Sequence, residues 1–246
     1  MKKLFLVLIV VVFCVPLFGY VTNGVFSGSQ KTDKVKIYKI DLSEKFSFSG
    51  EVNVIKMSKG ALSYGVANKN HRNYNFYMNA NYFTTNDIPI GEVKINGKTI
   101  RNKSQYGGFF TSNGGSPSFY FNNRPNKVLH SSQTHTPLIK NGVPYSRMFK
   151  KKWARYRLPR LVIGENKNGD IIVVHTIGTT GCSISEFYQI SKSLGMVNAL
   201  MFDGGASIEV GVNYKNINYK YQIHSDISRK LFNIPTPSVF IVGKII

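Results

Sequence analysis

The stretch Leu161-Val162-Ile163-Gly164-Glu165-Asn166-Lys167-Asn168-Gly169-Asp170-Ile171-Ile172-Val173-Val174-His175 decides the fold. Two apolar runs flank a turn containing Asn168-Gly169, the strongest short-range signal for a two-stranded hairpin. A Gly/Thr loop follows, from Gly178 to Gly181. Ser183-Ile184-Ser185-Glu186 then opens a helix with a capping-box pattern, because a Ser hydroxyl and a Glu three residues on can satisfy each other's backbone N–H groups. Ile184, Phe187, Ile190, Ser191 and Leu194 recur at helical spacing, and Gly195 is placed to end the helix. Ala199-Leu200-Met201-Phe202 reads as a short buried strand running into Asp203-Gly204-Gly205-Ala206-Ser207.

Outward from this segment the chain reads mostly as strands. Val35-Lys36-Ile37-Tyr38-Lys39-Ile40 alternates apolar and polar residues, the period of a half-exposed strand. Val52-Asn53-Val54-Ile55 is a second candidate, and Asn75-Phe76-Tyr77-Met78 leads into Asn79-Ala80-Asn81-Tyr82-Phe83. Glu92-Val93-Lys94-Ile95 and Lys98-Thr99-Ile100 flank Asn96-Gly97, another hairpin signal, and Lys140-Asn141-Gly142-Val143 repeats it. Ser238-Val239-Phe240-Ile241-Val242 is the last strand, set off by Pro235 and Pro237. The pattern predicts an α+β fold: a single β-dominated domain with a mixed sheet and few helices.

The N-terminus has a different composition. Met1-Lys2-Lys3 precedes an apolar run over 4–18, which is the layout of a secretory signal and shorter than the ~20 residues that span a bilayer. The chain therefore divides into a signal peptide or membrane anchor (1–19), a polar tether (20–34) and a folded domain (35–246). The expected location is outside the cytoplasm: secreted, periplasmic or membrane-anchored through the N-terminus. Of the two cysteines, Cys14 lies in the apolar run, so loss of that run leaves Cys182 without an intramolecular partner.

Lys plus Arg number 32 against 12 Asp plus Glu, a net charge of +20. Such a field attracts polyanions, although solubility alone is a sufficient reading of it. The run Lys150-Lys151-Lys152-Trp153-Ala154-Arg155-Tyr156-Arg157 mixes cations and aromatics, which suits an anionic polymer or a solvated loop. No nucleic-acid-binding fold signature accompanies it, so nucleic acid ranks last among partners.

Among the carboxylates Asp203 differs, because it follows an apolar strand and precedes two glycines that let backbone approach a ligand. Its bland alternative is a turn aspartate bonding its own backbone. Glu186 has a capping-box reading beside any catalytic one. Arg160 follows Pro159 at the head of a strand, where it can be a phosphate clamp or a surface charge. His175 reads as a strand-end hydrogen-bonding residue with a reserve role as acid/base. Cys182, at a helix start, is a small buried thiol or a nucleophile. No serine-hydrolase signature, phosphate-loop Gly-Lys-Ser or zinc-type Cys/His spacing is present, so no metal or other cofactor is expected.

In order along the chain, Asn79-Ala80-Asn81-Tyr82-Phe83, Pro89-Ile90-Gly91 through Asn96-Gly97, Leu138-Ile139-Lys140-Asn141-Gly142, Arg160-Leu161-Val162-Ile163-Gly164, Gly181, Glu186 and Asp203-Gly204-Gly205-Ala206-Ser207 resemble the phosphodiester glycosidase family. That is the family of N-acetylglucosamine-1-phosphodiester α-N-acetylglucosaminidase-like domains, with exopolysaccharide-related bacterial members. The resemblance runs over residues 75–242. Ala206 stands where the pattern has a third glycine, and Asn79-Ala80-Asn81 where Asn-Gly is commoner.

The resemblance implies a hydrolase that cleaves a sugar-1-phosphodiester bond, and with the N-terminal signal pattern the expected enzyme is exported and acts on an envelope or exopolysaccharide substrate. It implies Asp203 as the catalytic carboxylate, Glu186 as its partner, and Arg160 on the phosphate. Asn79 and Thr180 would contact substrate, and Gly204, Gly205 and Ser207 would supply turn N–H and hydroxyl groups. The rival reading is a non-catalytic basic surface protein that holds an anionic glycan.

Overall fold

A computed structural model describes residues 29–224 and 237–246, apart from 69, 85, 87 and 179. The expected signal or anchor at 1–19 lies outside the described residues. The α+β, β-dominated domain is what the structure shows, built from three sheets. The central, eight-stranded sheet runs in the order Gln30–Lys31, Val35–Asp41, Glu51–Met57, Ile171–Thr176, Leu161–Asn166, Met196–Phe202, Thr136–Lys140, Val143–Pro144. A five-stranded sheet has the order Lys98–Arg101, Val93–Ile95, His130–Thr134, Gly108–Ser112, Ser118–Phe121. The other has Ile217–Gln222, Glu209–Tyr214, Phe76–Asn79, Phe240–Ile245, Leu62–Ala67.

Pairings between the strands are antiparallel throughout, where a mixed sheet was expected. Part of the reason lies in the connections: short turns join sequential neighbours such as Leu161–Asn166 and Ile171–Thr176, and an antiparallel pair needs no long crossover. The hairpins around Asn96-Gly97 and Asn141-Gly142 form with both turn residues at positive φ (49° and 78°, 52° and 79°), the geometry that favours Asn-Gly. The sheet also begins earlier than the expected tether boundary at 34. Gln30 and Lys31 pair with Ile37 and Lys36, held by Thr32, whose hydroxyl accepts the Val35 N–H at 3.0 Å.

The central sheet is covered on both faces, which explains its long apolar runs. Ile55, Leu161, Ile163, Val173 and Phe202 face the two smaller sheets and pack with Tyr64, Phe76, Phe110, Val210, Tyr221 and Ile241. Val54, Val162, Ile172, Val174 and Met201 face the other way, onto Ile184, Phe187 and Ile190 of the helix Ile184–Ser193. That helix has the expected capping box at Ser183 and Glu186, and Gly195 just beyond it has φ 78°.

Candidate active site

The register of the central sheet gathers one end of five strands. Val52 lies opposite Thr176, His175 opposite Leu161, Leu161 opposite Phe202, and Met201 opposite Thr136. Arg160, Asp203 and the loop after Thr176 therefore emerge side by side, each one residue beyond its strand. The neighbouring strand Phe76–Asn79 delivers Asn79 to the same place. Asn79 is fully buried; its Nδ2 donates to the Asp203 carbonyl at 2.8 Å, and its Oδ1 accepts the Glu209 N–H at 2.9 Å.

Arg160 is 6% exposed. Its Nε donates to the Cys182 carbonyl and its Nη2 to the Tyr156 carbonyl, both at 2.9 Å, while its backbone N–H donates to Thr176 Oγ1 at 3.0 Å. Burial lowers its pKa, with Tyr82 and Cys182 opposing that shift; a guanidinium stays charged across the working range. The fork is thus fixed by two neutral carbonyls, which orient the cation without cancelling its charge.

Tyr82 was read only as part of an Asn-rich motif, and the structure adds it to the site. Its hydroxyl lies 2.9 Å from Thr136 Oγ1. Burial pushes its pKa up to about 12; Thr136 opposes the shift, Asp203 adds to it and Arg160 opposes it. The phenol is neutral and lies within electrostatic reach of both the carboxylate and the guanidinium.

The turn after Asp203 is built against the segment before Arg160. A Cβ on Gly204 would come within 2.4 Å of the Pro159 carbonyl oxygen, so only glycine allows this approach. The Gly205 N–H donates to the same carbonyl at 3.0 Å, and the Ser207 N–H donates to the Gly204 carbonyl at 3.2 Å. The Gly205 and Ser207 N–H groups, two of the turn groups expected to contact substrate, are thus engaged in shaping the turn. Ala206 is exposed and has no positive φ, so the position does not need a third glycine.

Three further expected residues lie at or near this end with their polar groups engaged. Thr180 Oγ1 accepts the Glu51 N–H at 3.1 Å, and Thr180 lines a hollow of about 410 Å³ with Ser49, Gly50, Arg157 and Gly181. Glu186 Oε2 accepts the Ser183 N–H at 2.7 Å and caps the helix, while its Oε1 pairs with Arg157, so both carboxylate oxygens are engaged. His175 is fully buried; Nδ1 donates to the Thr176 carbonyl at 3.0 Å, and Nε2 accepts from the Tyr219 hydroxyl at 2.6 Å. Asn53 Nδ2 donates to that same hydroxyl at 2.7 Å, which turns the tyrosine proton toward His175. Burial lowers the His175 pKa to about 4. The reserve acid/base role is corrected: the imidazole is a neutral member of the core, sealed from substrate. Cys182 is a buried thiol, the first of its two readings, and burial and then Glu186 raise its pKa to about 11, against Arg157 and Arg160.

Glu209 is the second residue that sequence reasoning missed. It is 1% exposed, and its Oε1 accepts from Arg72 Nη2 at 2.9 Å, Arg72 Nε at 3.1 Å and His71 Nε2 at 3.1 Å. His71 stacks flat on Phe240, ring centroids 3.5 Å apart. Burial alone would raise the Glu209 pKa, but the His71 hydrogen bond and the Arg72 charge outweigh it and lower the value. Among the described residues no three His, Cys, Asp or Glu side chains converge to hold a metal ion.

Residues 72–239 match the family model for phosphodiester glycosidase. No curated protein sequence matches the chain. The fold is similar to the catalytic domain of zebrafish N-acetylglucosamine-1-phosphodiester alpha-N-acetylglucosaminidase, auto-inhibited by its pro-peptide, with TM-score 0.64, 15% identity, and 92% of this chain and 88% of that one covered. It is also similar to a hypothetical protein from Synechocystis, with TM-score 0.54, 14% identity, and 87% of this chain and 63% of that one covered.

Proposed function

This chain belongs to the phosphodiester glycosidase family, and on that premise we propose that it hydrolyses the bond between a sugar anomeric carbon and a phosphodiester oxygen. The observation that carries this reading is the meeting of Arg160, Asp203, Asn79 and Tyr82 at one end of the central sheet, all inside the family match. The C1–O bond breaks with its electron pair leaving on the phosphate oxygen, and water adds at C1. The transition state is oxocarbenium-like, and negative charge grows on the phosphate.

Each residue has a task that its surroundings support. Arg160, pre-oriented in a dry setting, stabilises the charge developing on phosphate, which is where a fixed cation acts most strongly. Asp203 is the carboxylate at the anomeric carbon. Tyr82, a neutral phenol, donates a hydrogen bond to the leaving group. Asn79 acts through the Asp203 backbone, which places it as a positioning residue rather than a sugar contact. Substrate chemistry is a sugar-1-phosphodiester such as the N-acetylglucosamine type. Lys2-Lys3 followed by the apolar run over 4–18 supports an exported enzyme acting on envelope or exopolysaccharide material.

The test incubates the full chain with a panel of sugar-1-phosphodiesters, including UDP-N-acetylglucosamine and a methyl N-acetylglucosamine phosphodiester, and follows free reducing sugar. Release that disappears in Asp203→Asn and Arg160→Ala, with circular dichroism unchanged, is the expected result. Absence of release from every substrate, with salt-sensitive binding to an anionic glycan, would replace this reading with a binding protein.

A further inference from the structure

Two hollows flank the segment 104–106, and four cations line them. The first, of about 630 Å³, is walled by Thr84, Pro89, Ile90, Arg101, Lys103 and Ser104. The second, of about 210 Å³, is walled by Tyr106, His135, Arg147, Lys151 and Trp153 among others. Gln133 Nε2 ties the strap between them by donating to the carbonyls of Ser104 and Tyr106 at 3.1 and 3.0 Å. Ser104 Oγ and His135 Nε2 meet beneath it at 2.7 Å.

The cations are available for a ligand. Arg72, Arg124 and Arg157 each pair with a carboxylate. Among the described residues Arg101, Lys103, Arg147 and Lys151 have no such partner. Arg147 is held in place instead by the Tyr106 ring, its guanidinium carbon 4.0 Å from the centroid. With two cations to each hollow, the surface suits anions spaced along a chain better than one isolated anion.

Both hollows are walled by segments that adjoin site residues in the chain. The loop on the wall of the first begins at Tyr82, whose carbonyl accepts the Ile90 N–H at 2.7 Å. His135, on the wall of the second, immediately precedes Thr136, the partner of the Tyr82 hydroxyl. Of the basic-aromatic run 150–157, Lys151 and Trp153 face the second hollow, whereas Ala154 is buried and Arg157 pairs with Glu186.

We propose that the two hollows bind successive phosphate groups of a chain-like sugar phosphodiester, so that a phosphate-bearing glycan polymer is the preferred substrate. This rests on the function proposed above and specifies its substrate class. The scissile phosphodiester lies at Arg160, and the neighbouring phosphates along the chain occupy the hollows.

The test compares two probes on the full chain: a synthetic four-unit oligomer of N-acetylglucosamine joined through three 1-phosphodiesters, and the methyl phosphodiester of the same sugar. Arg101→Ala/Lys103→Ala and Arg147→Ala/Lys151→Ala should each lower kcat/KM on the oligomer about tenfold, mainly through KM, and leave the methyl substrate within about twofold. Equal effects on both probes, or none, would overturn the proposal. So would an oligothymidylate of equal phosphate count that competes as well as the oligomer. If the parent chain cleaves neither probe, the enzymatic reading fails by itself, and calorimetric binding of the intact oligomer decides this one. Weaker binding in both double variants sustains it, and unchanged binding overturns it.

Discussion

The side-chain amide of Asn79 donates to the backbone carbonyl of Asp203 at 2.8 Å, joining the end of one sheet to the end of another. Its oxygen accepts the Glu209 N–H at 2.9 Å, so one buried amide spans both carboxylate positions. Asn79→Ala leaves a buried carbonyl and a buried N–H without this partner, at a cost of about 1–3 kcal/mol. Activity should fall further than stability, because the Asp203 backbone loses its anchor. Urea unfolding together with kcat/KM checks this; a variant of ordinary activity would detach Asn79 from the catalytic geometry.

Gly204 and Pro159 hold the Asp203 turn against Arg160. A methyl at Gly204 would sit 2.4 Å from the Pro159 carbonyl oxygen, so the two segments must move apart. Gly204→Ala should cost about 1–3 kcal/mol and lower kcat, since the spacing between carboxylate and guanidinium changes. Gly substituted for the exposed Ala206 should leave both properties near the parent values. Thermal unfolding and turnover of the two variants make the comparison, and an inert Gly204→Ala would mean that the turn tolerates displacement.

The hairpins were legible because their signal is local: Asn96-Gly97 and Asn141-Gly142 carry turn geometry in two residues. The capping box at Ser183 and Glu186 is local in the same way. Strands Leu62–Ala67, Gly108–Ser112 and Glu209–Tyr214 were not legible, because each contains a glycine that weakens a strand pattern. The structure gives the reason for those glycines. The His130 ring packs over Gly65, a Leu200 methyl fills the space beside Gly108, and the Tyr77 ring lies over Gly211. In the site, Asn79, Arg160 and Asp203 follow from motif order. Glu209 did not, since its partners His71 and Arg72 are 138 and 137 residues away and only the fold brings them together. Tyr82 was hidden because nothing in an Asn-rich strand end states which way its hydroxyl faces.

The Glu209 cluster is asymmetric. Glu209 is 1% exposed at its side chain and Arg72 42%. Arg72→Ala removes the guanidinium and leaves the buried carboxylate only the His71 hydrogen bond, whereas Glu209→Gln leaves the cation of the pair largely exposed. Near neutral pH, Arg72→Ala should cost about 1–3 kcal/mol and Glu209→Gln about 1 kcal/mol or less. The Glu209 pKa is lowered in the folded state, so its contribution is present above the ordinary value of 4.5 and is lost as pH falls through the folded value. The deficit of Arg72→Ala should therefore shrink on acidification. Denaturant midpoints at neutral and acid pH decide this, and an equal cost for the two variants at neutral pH would contradict the asymmetry.

His175 also loses stability on acidification, in a higher pH window than Glu209. Its folded pKa is held at about 4 against an ordinary 6.5, because protonation would place a charge in the core and displace the Tyr219 proton from Nε2. In that window the unfolded chain binds the proton and the folded chain does not. Stability from this residue is thus complete above pH 6.5 and is lost between about 6.5 and about 4, at about 1 kcal/mol per pH unit. His175→Gln cannot titrate, so the difference in unfolding free energy between it and the parent should change sharply across this window and be flat above it. Nitrogen NMR of the parent should show the proton on Nδ1 at pH 6. An imidazolium signal there, or a difference that ignores pH, would mean that His175 is open to solvent and would return it to the list of candidate acids.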